Sequence, residues 1–173
     1  MISLSVVLWV FVVLFGVIGG LRGWAKEILV LFCMVLALFL DIVITQFVPG
    51  AQAALEELSH SAQFSVRALF FLLLAFFGYE TPAISLALGA KARRERLEDI
   101  LLGLVIGLLN GYLLVGTLWY YLDATGYPVT GITRPTDSAV LNLLDYMPPE
   151  LVGIPYIYFA MGLAFVFVLV VFI

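Results

Sequence analysis

Charge is what this sequence has least of. It holds 8 Lys and Arg and 12 Asp and Glu in 173 residues, or 12%, where a soluble domain carries about 25%. That leaves too little polar surface to cover a water-soluble globule and excludes a soluble enzyme domain. A single cysteine, Cys33, excludes a disulfide-stapled scaffold. A single histidine, His60, joins no cluster of metal-ligating residues, so no metal site is expected. No phosphate loop, no GxSxG and no catalytic pair of carboxylates is present, so neither a cofactor nor an enzymatic activity is expected. Basic residues are outnumbered, with net charge −4 and pI ≈ 4.8, which argues against a nucleic-acid partner. Apolar residues are what the chain has in abundance. It is 64% hydrophobic and 14% aromatic, with a mean hydropathy of +1.17, and the aromatic content excludes disorder. An integral membrane protein remains, with the lipid bilayer as its solvent.

A spanning helix needs about 20 apolar residues. The apolar runs predict an all-α polytopic membrane protein of about five transmembrane helices, near residues 2–20, 28–48, 64–88, 97–122 and 154–173. The first run lacks a basic leader and a small-residue cleavage site, so it reads as a retained span. Arg22, Lys26, Lys91, Arg93, Arg94 and Arg96 fall in two turns on one side. Arg67 and Arg134 fall on the other, with Glu56, Glu57, Asp123, Asp137, Asp145 and Glu150. The positive-inside rule then puts the N-terminus outside and the C-terminus in the cytoplasm. Two outer segments are read as short helices. Residues 51–63 form an interfacial one, and residues 136–147 form an amphipathic one opened by Thr136-Asp137-Ser138 and ended by Pro148-Pro149.

Gly103, Gly107 and Gly111 recur at every fourth position of the fourth helix, and Gly16 and Gly20, with Gly19 beside them, offer a similar surface on the first. Small residues let helix backbones approach closely in lipid. Asn110, beside the stripe, reads as an interhelical hydrogen-bonding group. Arg22-Gly23-Trp24-Ala25-Lys26-Glu27 reads as a tight charged hairpin, with Glu27 near a helix N-terminus and Trp24 an interfacial anchor. Ionisable residues inside spans are functional candidates. Asp41 is one, with Arg67 its expected counter-ion. Glu80, beside Thr81-Pro82, is another, expected to pair with Arg22 or the 91–96 arginines. His60 reads as a solvated surface histidine and Cys33 as a small buried hydrophobe.

The Arg22-Gly23-x-x-x-Glu27 turn after a glycine-containing span resembles the colicin V production protein (CvpA) family. Glu98-Asp99 followed by Gly103-x-x-x-Gly107-x-x-x-Gly111 is similar to that family's fourth helix. Asp137-Ser138-Ala139-Val140-Leu141 with Pro148-Pro149 is similar to its following segment. The resemblance covers about residues 1–150, and the 151–173 helix is an addition to the family's four spans. Asn110 stands where an arginine often precedes the last glycine. The resemblance implies a bacterial inner-membrane, multi-pass protein linked to envelope homeostasis and to toxin production or export. Two other roles stay open: an accessory subunit of a larger membrane complex, or a small oligomeric channel or transporter using Asp41, Glu80 and Asn110. A second copy of the chain or other membrane proteins are the expected partners.

Overall fold

The computed structural model describes residues 3–80 and 96–172. Lys91, Arg93, Arg94 and the Thr81-Pro82 step lie outside the described residues. The described chain is helical, without strands. Its helices are α1 (Leu4–Arg22), α2 (Trp24–Phe47), α3 (Ala51–Glu56), α4 (His60–Tyr79) and α5 (Arg96–Ala124), then α6 (Ser138–Leu141), a 3-10 turn (Leu144–Tyr146), α7 (Pro148–Leu151) and α8 (Tyr156–Phe172). Helices α1, α2, α4 and α5 are each long and apolar enough to cross a bilayer, and α8 is a shorter apolar helix. The chain is an all-α polytopic membrane protein.

Packing directions follow from which residues meet. Along α1, Val12, Phe15 and Gly19 face Gly111, Gly107 and Gly103 of α5, so the two run antiparallel. A Cβ on Gly19 would run into the Gly103 carbonyl, and one on Gly107 into that of Phe15. Glycine is therefore required for this approach. Gly16 packs on the Leu108 side chain, whereas a Cβ on Gly20 would meet only ordinary contacts, the nearest at 3.5 Å. The stripe on α1 thus centres on Gly19, with Gly20 at its edge. Helix α2 runs parallel to α5, with Trp24 beside Gly103 and Asp41 beside Tyr121. Helix α4 returns antiparallel to α2, joined through Gly78, where a Cβ would lie 2.7 Å from the Val30 Cα.

The core lies where α2, α4 and α5 meet, around Val30, Met34, Ala37, Leu38, Phe71 and Tyr121. Large apolar side chains face outward instead, among them Trp9, Val13 and Val17 on α1, and Leu69, Leu73 and Phe76 on α4. A bilayer makes that surface cheap, since lipid tails are as apolar as leucine.

Several boundaries differ from expectation. Helix α4 begins at His60 because the Ser59 side chain accepts from the Ala62 amide, an N-cap that lets a polar first turn join an apolar helix. The interfacial helix is therefore only Ala51–Glu56, and residues 60–63 belong to α4. The 136–147 segment is not one helix. Asp137 caps the single turn of α6, a 3-10 turn follows, and Pro148 opens α7 rather than ending a helix, a position that suits its fixed φ and missing N–H. Met147 and Pro148 are buried against Gly116 of α5. Tyr112 donates a hydrogen bond to the Tyr146 carbonyl.

Candidate functional site

The bundle holds two polar clusters, about 21 Å apart along α2 at 1.5 Å per residue.

The first grows from the α1–α2 turn. Gly23 adopts φ +87, a left-handed conformation that favours glycine, and a Cβ there would also crowd the Asp99 carboxylate. Asp99 Oδ1 accepts from the Trp24 amide at 3.2 Å, satisfying one of the open donors at the start of α2. One turn further, Glu27 points inward and is fully buried. Arg22 Nη1 donates to Glu27 Oε1 at 2.8 Å. Asn110 Nδ2 donates to Glu27 Oε2 at 2.8 Å and to the Glu27 carbonyl at 3.0 Å. The Arg22 guanidinium lies 4.3 Å from the centre of the Tyr79 ring, and Nη2 donates to the Tyr79 carbonyl at 3.4 Å. Residues of α1, α2 and α5 thus meet on one carboxylate, with Tyr79 of α4 against the arginine.

The second cluster joins α2, α4 and α5. Arg67 grips Asp41 with two bonds, Nε to Oδ1 at 3.3 Å and Nη2 to Oδ2 at 2.6 Å. Such a fork is stronger than a single neutral bond. Tyr121 donates its hydroxyl to Asp41 Oδ2 at 3.2 Å, and its ring lies 4.5 Å under the guanidinium.

The residues singled out in the sequence fare differently. Arg67 is the partner of Asp41, as expected, and Asn110 makes an interhelical bond. Glu27 lies in the first turn of α2, as expected, and is also the buried hub of the first cluster. Glu80 lies at the end of α4 rather than within the helix. It is the C-cap of α4 and exposed, because α4 ends at Tyr79, and the described bonds of Arg22 go to Glu27 and Tyr79. His60 is tied down, its Nδ1 lying 3.0 Å from the Thr125 carbonyl. Trp24 Nε1 is buried, with no hydrogen-bond partner among the described residues. Sequence reasoning missed Tyr79 and Tyr121, whose only signal is a phenol falling level with a charge on another helix. It also missed Gly78 and Gly116, which belong to no repeat. No group of three or more metal-ligating side chains comes together among the described residues.

No curated protein and no solved structure matches this chain. Residues 4–149, which carry the Arg22–Glu27 turn, the glycine stripe of α5 and the capped segment after it, match the model of the family described as Colicin V production protein. The chain belongs to the colicin V production protein family.

Proposed function

We propose that this member of the family acts without catalysis, as a multi-pass protein of the bacterial inner membrane. In this reading it serves envelope homeostasis or toxin production and export by offering its outer helix faces to other membrane proteins or to a second copy. One observation carries the reading. Arg22, Glu27, Asp41 and Arg67 bond to each other and to Asn110 and Tyr121, so they tie helix to helix. An ion path needs such groups to face water, and an enzyme needs a nucleophile with its base. The outward face of α1, with Trp9 56%, Val13 58% and Val17 53% exposed, supports lateral contact with another apolar helix. The sorting of basic residues to the Arg22–Lys26 turn supports a cytoplasmic position for that turn.

Liposome reconstitution tests this reading. The expected result is no proton or solute flux above empty liposomes, with Glu80→Gln leaving the trace unchanged. Flux that depends on Asp41 or Glu80 would replace it with a transporter. Gentle detergent purification should bring down partner proteins or an oligomer. A chain that always runs alone at its own mass removes the lateral-contact role.

A further inference from the structure

The Asp41–Arg67 pair separates two cavities of opposite character. One, of about 240 Å³, is lined by the polar residues Thr45, Gln46 and Tyr120 and closed by residues 149 and 152–154. Glu150, accepting from the Tyr120 hydroxyl at 3.3 Å, adds negative charge on that side. The other, of about 310 Å³, lies under α3 and is walled by hydrocarbon from Ile44, Ala54, Leu55, Leu58, Val66 and Phe70. Asp41, Thr45 and Arg67 border both. Ile44, Leu58 and Val66 are 40%, 39% and 52% exposed, so the apolar cavity opens on the outer surface of the bundle. Asp41 lies six residues before the end of α2 at Phe47, about 9 Å along the axis.

We infer that these two cavities form one binding site for a zwitterionic aminophospholipid of the surrounding bilayer, with the headgroup on the Asp41–Arg67 pair and hydrocarbon in the groove under α3. The pair offers both signs of charge. Arg67 Nη1 has no hydrogen-bond partner among the described residues and is left for a phosphate, while Asp41 and Glu150 supply the negative charge that an ammonium needs. A purely anionic lipid would satisfy Arg67 but face two carboxylates. Ligand sites run to roughly 300–1,000 Å³, and the two compartments together fall in that range. The site goes beyond the proposed partner role and does not depend on it.

Native mass spectrometry of the full chain in detergent micelles decides the matter, with three probes titrated in turn: phosphatidylethanolamine, phosphatidylglycerol, and soluble glycerophosphoethanolamine. One phosphatidylethanolamine should be retained roughly tenfold more tightly than phosphatidylglycerol, the difference one charge-assisted bond makes, and the soluble headgroup should not be retained. Ala54→Trp fills the groove and leaves both members of the ion pair in the sequence. It should keep the melting temperature of the lipid-free chain and weaken phosphatidylethanolamine binding roughly tenfold. The double variant Asp41→Asn with Arg67→Gln leaves no orphan charge in the pair and should narrow the difference between the two lipids. Equal retention of the two lipids by the unmodified chain overturns the inference. So does unchanged retention in Ala54→Trp, or capture of the soluble headgroup as strongly as of the lipid.

Discussion

The two polar clusters are built from the same parts, an arginine, a carboxylate, a tyrosine ring and a neutral donor, yet they differ in how tightly they are sealed. Around Glu27 the helices approach to backbone contact through Gly19, Gly103 and Gly107, and the carboxylate and Asn110 are both fully buried. Around Asp41 the neighbours on α2, α4 and α5 are bulky and no glycine stripe draws them together; the two arginines are similarly exposed, but the Asp41 side chain is 12% exposed where that of Glu27 is 0%. Two cavities follow from that looser fit. The difference teaches that backbone approach, rather than the charges themselves, decides whether an intramembrane ion pair is a rivet or a site.

Breaking the sealed cluster should have the largest effect. Glu27→Ala leaves Arg22 uncompensated and Asn110 without its acceptor, and removing one member of a buried pair costs about 3–5 kcal/mol. Denaturant unfolding in mixed micelles should read that loss, and a change below about 1 kcal/mol would refute the hub role. Gly107→Leu attacks the seal instead of the charge. Overpacking costs about 1–3 kcal/mol and forces helices apart, so Glu27 should become accessible to a water-soluble carbodiimide. An unmodified Glu27 in that variant would uncouple sealing from glycine packing. Asp41→Asn keeps an acceptor for Tyr121 but removes the charge under Arg67. At the half-open cluster this should cost about 1–3 kcal/mol, less than Glu27→Ala, and an equal or greater loss would invert the comparison. The smallest effect sharpens the register of the stripe. Gly20→Ala has room and should be neutral or stabilising by up to about 1 kcal/mol, whereas Gly19→Ala should destabilise in the same melting assay.

Much of this was legible in the residues. Apolar runs gave the long apolar helices, the Gly103–Gly111 spacing gave the α5 face, and one counter-ion gave the α2–α4 contact at Asp41. Other features were hidden for stated reasons. Lys26 and Glu27 made the start of α2 look like a loop, so the expected span began at Ile28 rather than Trp24. Glu27 and Asn110 are 83 positions apart, and nothing in the local pattern of either points to the other. The weight of Gly19 over Gly20 depends on the rotation of α1 about its axis, which a two-glycine repeat does not fix. Glu80 sits after an apolar run that reads as continuous, and only the end of α4 at Tyr79 makes it a cap residue.

The α1–α2 turn also dictates an order of assembly during synthesis. Arg22 and Glu27 emerge five residues apart and neutralise each other within one hairpin, so that the turn enters the membrane with its own ion pair already made. The remaining partners come late, Asp99 for the Trp24 amide 75 residues on and Asn110 for Glu27 83 residues on. At roughly 5–20 residues per second the first hairpin waits about 4 to 17 s for α5, held by an ion pair that it carries with it.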